Sequence, residues 1–172
     1  MIYPKLKGPA LEAYRQMVSK LKQKAVQELG LPESEIIIRQ LRPDDLGGKA
    51  SLSTQDFNFG RAGAAWDTIV NGQTIADNRF IGVNGFFFTG THTGEATGCS
   101  QIKVTKMGAV TRYWNVGPVE FWEDKIGYFD DPVIVDQNTT VTVETWTRDS
   151  GSQFNWGLVG AVAEKRGLLI NP

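Results

Sequence analysis

Apolar and polar residues alternate along short segments over most of the chain, and one stretch near the start follows a helical period instead. In residues 139–162, valines alternate with threonine and glutamate in the first half, and Phe154, Trp156 and Leu158 share one face in the second. The Asp-Ser-Gly sequence at 149–151 has turn chemistry, because glycine accepts a positive φ and aspartate bonds to nearby backbone. The pattern predicts a hairpin of two strands whose apolar face is covered by a second sheet.

Further short apolar segments, each bounded by glycine, proline, asparagine or aspartate, predict about ten β segments. Asn71-Gly72 between two of them predicts a two-residue hairpin turn, and Gly82 and Gly85 within an apolar run predict a bend or bulge. Besides the hairpin, the segments are residues 36–41, 50–59, 66–70, 73–75, 79–89, 101–106, 109–116, 119–122, 126–129 and 133–136. Because no βαβ alternation is present, we expect a mainly β fold, a jelly-roll barrel or sandwich of two antiparallel sheets.

The helical stretch begins at Pro9, which suits the first position of a helix, and ends at Gly30, before Pro32. Its apolar residues recur every three or four positions. They are Leu11, Tyr14, Val18, Leu21 and Ala25. We therefore expect two regions, an N-terminal arm with an amphipathic helix over residues 1–32 and a single jelly-roll domain over residues 33–172.

The predicted arm and helix are rich in positive charge. Within residues 1–28, six basic side chains face only Glu12 and Glu28. The basic residues are Lys5, Lys7, Arg15, Lys20, Lys22 and Lys24. One interpretation is a helix packed on the barrel with a solvated basic face. The other is a basic amphipathic helix that meets an anionic surface, such as a membrane, or a partner subunit, although the lack of Trp and Phe disfavours deep insertion.

Acidic side chains cluster over residues 120–136. They are Glu120, Glu123, Asp124, Asp130, Asp131 and Asp136. A solvated face is one explanation, and a pair of carboxylates for glycoside hydrolysis or a calcium site is another. The remaining hypothesis is a subunit interface, in which these acids, Asp136 apart, meet the basic N-terminal segment of a neighbouring copy.

Two tryptophans are candidates for an exposed binding surface, Trp114 and Trp146. Adjacent Tyr113 and Trp114 point to opposite faces of a strand, so at most one of them reaches the core. Trp146 falls on the threonine and glutamate face of its strand. An exposed tryptophan on a sheet face indicates contact with another subunit or with carbohydrate, whereas packing in the core or at an edge is the alternative.

The residues that most often carry chemistry are scarce. His92 is the only histidine and Cys99 the only cysteine, so multi-histidine metal sites and intrachain disulfides are excluded. The glycines of residues 90–98 lack the Gly-Lys-Ser/Thr that completes a phosphate-binding loop. We therefore predict no catalytic residue, cofactor or metal. A net charge of −1 disfavours general nucleic-acid binding, and the start of the chain predicts no signal peptide.

In length and layout the chain resembles the small major capsid protein of tailless, icosahedral, membrane-containing double-stranded DNA phages of Thermus. The segments that carry the resemblance are MIYPKLKGPALEAYRQ at 1–16, NRFIGVNGFFFTGTHTG at 78–94 and TVTVETWTRDSGSQFNWGLVGAV at 140–162. The resemblance implies a single upright jelly roll without an active site. It also implies a subunit that forms a homo-oligomer such as a dimer and pairs with a second, larger coat protein. Together they would enclose an internal membrane in the virion, after synthesis in the host cytoplasm. A carbohydrate-binding β-sandwich module is the alternative function.

Overall fold

Two antiparallel sheets and one helix make up the fold. The structure, a computed structural model, describes residues 8–46, 57–60, 65–91, 99–121, 125–147 and 153–168. The helix is α1 (Gly8–Leu29), and the strands are β1 (Ile36–Gln40), β2 (Phe57–Gly60), β3 (Ala65–Thr74), β4 (Arg79–Thr91), β5 (Cys99–Lys106), β6 (Ala109–Asn115), β7 (Ile126–Val135), β8 (Thr140–Thr147) and β9 (Gln153–Lys165). Short 3₁₀ helices cover Glu33–Glu35, Pro43–Leu46 and Gly117–Phe121.

The strand order is that of a jelly roll. Sheet A has the order β1-β9-β4-β7, and β2 also pairs with β9; sheet B has the order β3-β8-β5-β6. Because β1 pairs with the end of β9 and β2 with its beginning, the two act as one interrupted strand. The chain passes repeatedly between two sheets of four strand positions each, as in jelly rolls. The predicted mainly β sandwich with one N-terminal helix is confirmed.

Side chains from the inner faces of both sheets fill the space between them. Trp156 and Phe86 of sheet A and Ile102 and Val143 of sheet B are among the buried residues of this core. In β8 Val141 and Val143 are buried while Thr142 and Glu144 are partly exposed, which is the alternation that the sequence predicts. The burial of these apolar side chains is the main stabilising contribution to the sandwich.

Helix α1 covers the outer face of sheet A. Met17, Leu21 and Ala25 are fully buried in a second apolar cluster that includes Phe80. The helix approaches β4 closely over Gly82, where an added Cβ would lie 2.7 Å from Leu21 Cδ1. Sheet A is therefore buried on both faces, and the amphipathic helix forms as predicted.

The predicted hairpin of residues 139–162 is wrong in its pairing. β8 belongs to sheet B, between β3 and β5, whereas β9 lies in sheet A between β1 and β4. The Asp-Ser-Gly sequence at 149–151 lies outside the described residues. Trp156 and Leu158 do face the core together, as predicted. Alternation determines which side chains share a face, but two adjacent strands in a jelly roll can lie in opposite sheets.

The Asn71-Gly72 turn is also absent as a hairpin, because both residues lie within the continuous strand β3. The pairing with β8 jumps between Val70 and Gln73, so the two residues form a bulge. Gly72 has a φ of +59° and its N–H donates to Thr142 Oγ1 at 3.1 Å. The local preference for positive φ is thus used to bend an edge strand.

The remaining predictions for the strands have mixed outcomes. Residues 119–121 belong to the 3₁₀ helix Gly117–Phe121 and not to a strand. The segments 126–129 and 133–136 fall largely in one strand, β7, whose pairing with β4 is interrupted between them. The bulge predicted near Gly85 is confirmed in β4. Most of the predicted strand 50–59 lies outside the described residues.

Candidate interaction surfaces

The outer face of sheet B carries three aromatic side chains in contact, which we call the aromatic patch: Trp66 of β3, Tyr113 of β6 and Trp146 of β8. Trp66 and Trp146 are directly opposite each other on paired strands. The ring centroid of Trp66 lies 5.7 Å from that of Trp146 and 5.9 Å from that of Tyr113, with edge-on geometry in both pairs. Tyr113 is 58% exposed, so the patch presents an aromatic ring to solvent.

An ion pair lies beside the aromatic patch. Lys103 of β5 and Glu144 of β8 are opposite residues on neighbouring strands, and Lys103 Nζ lies 2.5 Å from Glu144 Oε2. The same ammonium lies 4.5 Å from the centroid of Trp66, where the electron-rich face of the ring attracts it. The pair therefore holds Trp66 in place and leaves no net charge beside the patch.

Trp114 faces the opposite way from Tyr113. Its ring stacks on Phe129 of β7, with 3.8 Å between centroids and 2° between planes, and Phe129 stacks in turn on buried Phe86. This stack closes the gap between the two sheets at their β6 and β7 edges. The prediction that at most one of the adjacent aromatics reaches the core is confirmed. Choosing Trp114 as the exposed candidate is wrong, since the exposed residue is Tyr113.

The three acids of the cluster whose side chains the structure describes do not form one site. Asp130 and Asp131 are exposed on β7, where its pairing with β4 is interrupted, and Asp131 forms an ion pair with Arg112. Asp136 lies beyond the end of β7 and pairs with Lys24 of α1, with 2.9 Å between Oδ1 and Nζ. The described part of the chain contains no group of three or more His, Cys, Asp or Glu residues that could hold a metal ion.

Three of the predicted interface acids have no described side chain. Glu120 belongs to the 3₁₀ helix Gly117–Phe121, and Glu123 and Asp124 lie outside the described residues. His92 lies outside them as well. Their roles stay predictions.

The basic residues of α1 divide into exposed and paired side chains. Arg15 and Lys20 are exposed, whereas Lys22 forms an ion pair with Glu33. Lys24 pairs with Asp136, and this hydrogen bond raises the pKa of Lys24 above its usual value although burial opposes it. Lys5 and Lys7 lie outside the described residues.

The packing of α1 limits how it could meet a membrane. Its apolar side is buried on sheet A, so only its charged side is available for contact. No helix in the described ranges is both long and apolar enough to cross a bilayer. The helix is packed on the barrel, and contact of its basic side with an anionic surface or a partner subunit stays a prediction.

An ionic network that the sequence patterns did not predict lies at one end of the sandwich, formed by Arg39 of β1, Asp45, Arg79 of β4 and Glu164 of β9. Glu164 is fully buried and accepts from Arg39 Nε at 2.8 Å and from Arg79 Nε at 2.9 Å. Asp45 Oδ2 accepts from Arg39 Nη1 at 2.7 Å. Burial alone would lower the pKa of Arg39, but the hydrogen bonds and charges of both carboxylates outweigh it and raise that pKa. The network joins β1, β4, β9 and the 3₁₀ helix Pro43–Leu46.

No protein-family model and no curated protein matches the chain. A chain in the solved structure of infectious bursal disease virus, Gx strain, is 16% identical with a TM-score of 0.30; the match covers 77% of this chain and 33% of that one. The similar chain comes from a virus, but a likeness this weak carries no argument about fold or function. The jelly roll rests on the strand pairing described above.

Proposed function

We propose that the protein is a structural coat subunit of a virus. The observation that carries the proposal is a jelly roll whose sheet A is covered by its own helix while sheet B presents the aromatic patch. Jelly rolls of this kind serve as viral coat domains and as lectin domains, so the exposed surface has to decide between them. The layout of the sequence, which resembles a small capsid protein, supports the first.

The edges formed by β3, β6 and β7 favour association through faces. β7 is interrupted around Asp130, Asp131 and Pro132, where exposed acids and a proline disfavour pairing with another strand. β3 has two register shifts along its pairing with β8, and β6 has one along its pairing with β5. Such irregular edges hinder continuous sheet formation between molecules, as a subunit with a defined assembly requires.

In finer detail, the proposal is a subunit that self-associates and pairs with a second, larger single-barrel coat protein. The two would enclose an internal membrane in virions of the Thermus phage group. The support for these partners is the sequence resemblance. Arg15 and Lys20 support contact with anionic lipid, because both are exposed on the outer side of α1.

Electron microscopy and light scattering test the coat function. The purified protein, alone and mixed with the larger coat protein of the same virus, is examined over a range of concentrations. We expect ordered assemblies that grow with concentration or with the partner. A protein that stays monomeric throughout and does not bind the partner would contradict the proposal.

Flotation with anionic vesicles tests the lipid contact separately. We compare the Arg15→Gln/Lys20→Gln variant with a matched control, Arg42→Gln/Lys125→Gln, which removes the same charge from exposed positions elsewhere. Loss of vesicle binding in the first variant alone supports membrane contact by α1. Equal binding of vesicles by both variants would contradict membrane contact by α1.

Carbohydrate binding is the second candidate, and the exposed ring of Tyr113 favours it, since sugars stack on aromatic rings. Lys103 lies over the ring of Trp66, however, and covers a surface that a sugar would use. A glycan array with the wild type and the Tyr113→Ala variant discriminates the two functions. Binding that depends on Tyr113 would favour the lectin-like function, and a blank array would favour the coat subunit.

A further inference from the structure

The outer face of sheet B is the broad sheet face that the described helix leaves uncovered. We propose that two copies of this chain associate through these faces, related by a two-fold axis, with Lys103 of each copy against Glu144 of the other and the aromatic patches buried around them. The inference deepens the proposed function, since it rests on a subunit that self-associates and names the surface that does so.

Other parts of the sandwich are less suited to this contact. The outer face of sheet A already packs against Met17, Leu21 and Ala25 of α1, all fully buried. The irregular pairing of β3, β6 and β7 hinders the addition of a strand at those edges. The face of sheet B is centred on β8, whose side chains alternate between buried and more exposed along the whole strand, and on the middle of β5, where Lys103 is partly exposed between buried Ile102 and Val104.

The composition of the face suits a protein partner. Tyrosine and tryptophan are enriched in protein interfaces and at the residues that contribute most of the binding energy. Here Trp66 and Trp146 are partly exposed, and Tyr113 is more exposed still. The rings are held by edge-on contacts before binding, so their burial would lose little side-chain freedom.

Charge complementarity identifies the partner as a second copy. Lys103 and Glu144 lie side by side on β5 and β8, the two central strands of sheet B. A two-fold axis that passes between them places the ammonium of each copy near the carboxylate of the other. Because the pair is neutral, two identical faces do not repel each other, and the alternating charges determine their alignment.

Sedimentation equilibrium with charge-reversal variants tests this alignment. Lys103→Glu puts two acids on each face and Glu144→Lys puts two bases there, so we expect each variant alone to dimerise on the order of 100-fold more weakly. When the two variants are mixed, a face with two acids meets a face with two bases, and we expect a heterodimer to form. An effect confined to the ion pair within one copy would not be rescued by mixing.

A second pair of variants tests the aromatic patch. Tyr113→Arg places a charge within the patch, and we expect dimerisation to weaken roughly tenfold or more. Met107→Arg is the matched control, because Met107 is 75% exposed in the turn between β5 and β6 and lies outside the patch. The control should dimerise like the wild type. Circular dichroism and thermal unfolding establish that the variants fold.

The remaining outcomes would overturn the inference. They are a wild type that stays monomeric, a dimer that Tyr113→Arg leaves intact, and charge-reversal variants whose mixture stays dissociated. Ordered assembly with a coat partner in any of these cases would leave the proposed function standing with a different contact surface. If the protein forms no assembly of any kind, both the dimer through sheet B and the proposed coat function would be refuted. Tyr113-dependent glycan binding by a monomer would assign the patch to carbohydrate instead.

Discussion

Glu164 is the residue whose substitution tests the ionic network most directly. Glu164→Gln keeps the size and shape of the side chain but removes its charge. Its carboxylate accepts three hydrogen bonds, two from Arg39 and one from Arg79, at 2.8–3.1 Å. In the wild type two guanidinium groups face two carboxylates, whereas in the variant Asp45 alone would balance both cations.

The expected loss in the free energy of unfolding follows from that imbalance of charge. Breaking a buried ion pair by removing one partner costs about 3–5 kcal/mol, because the remaining charge stays desolvated. The side chain of Arg79 is 18% exposed and can be partly solvated, so we expect the lower end, about 3 kcal/mol. Since domains of this size are stable by about 5–15 kcal/mol, the variant should fold but with a much reduced free energy of unfolding.

Urea denaturation followed by tryptophan fluorescence measures the effect, since Trp156 is fully buried in the core. At a slope of about 2 kcal/mol per molar urea, the midpoint should fall by roughly 1.5 M without a change in slope. Glu12→Gln at an exposed position of α1 is the matched control and should change stability by less than about 0.5 kcal/mol.

A double variant completes the test. Arg79→Met/Glu164→Gln removes one charge of each sign, so Arg39 and Asp45 remain as a balanced pair. We therefore expect a coupling of about 1–3 kcal/mol, with the double variant more stable than the sum of the single effects. Strict additivity, or a cost for Glu164→Gln no larger than that of the surface control, would refute the reasoning about charge balance.

Two further predictions concern close packing and charge. Gly160→Ala should destabilise more than Gly82→Ala in thermal unfolding, because the new Cβ would lie 2.1 Å from the Gly82 carbonyl oxygen, whereas at Gly82 the nearest atom is the flexible end of Leu21 at 2.7 Å. Equal costs would contradict this packing argument. Lys24→Met should cost about 0.5 kcal/mol at neutral pH, since the pair with Asp136 is partly exposed. Because the folded pKa of Lys24 is raised, this contribution is present below its usual pKa of 10.5 and is lost as the pH rises through the folded value. The difference in the free energy of unfolding between the wild type and the Lys24→Met variant should therefore be present at neutral pH and vanish at strongly alkaline pH. A difference that does not change with pH would count against the ion pair.

The sequence predicts which side chains share a face of a strand better than it predicts which strands pair with each other. Alternation in β8 and β9 correctly identified the buried valines and the inward side of Trp156, because neighbouring residues in a strand must point to opposite faces. The pairing of these strands depends on long-range packing between sheets. A local turn motif carries no information about that packing. For that reason the segment resembled a hairpin although its strands lie in different sheets.

The alternation of side chains along a strand explains why the prediction for Tyr113 and Trp114 chose the wrong residue as the exposed one. Tyr113 and Trp114 had to face opposite ways, but both are large and partly apolar, so alternation alone could not assign the core side. The stacking partner Phe129, on a strand of the other sheet, decides it. The Lys103–Glu144 pair similarly requires the register between β5 and β8.

The sequence does carry a signal for the ionic network. Arg39 follows three isoleucines, and Glu164 ends a run of small and apolar residues in β9. A charge within a buried strand requires a partner, so each residue predicts an opposite charge nearby. Their separation along the chain, 125 residues, prevents the sequence from identifying which charges meet.

The position of β9 has a consequence for how the molecule is made. This strand pairs with β1, β2 and β4, so sheet A remains split until residues near 165 have left the ribosome. During synthesis the apolar edges of β1 and β4 have no partner, and a nascent chain in that state is prone to aggregation and to binding by chaperones. Folding of sheet A is therefore completed only after β9 has been synthesised, and its rate is limited by contacts between distant parts of the chain.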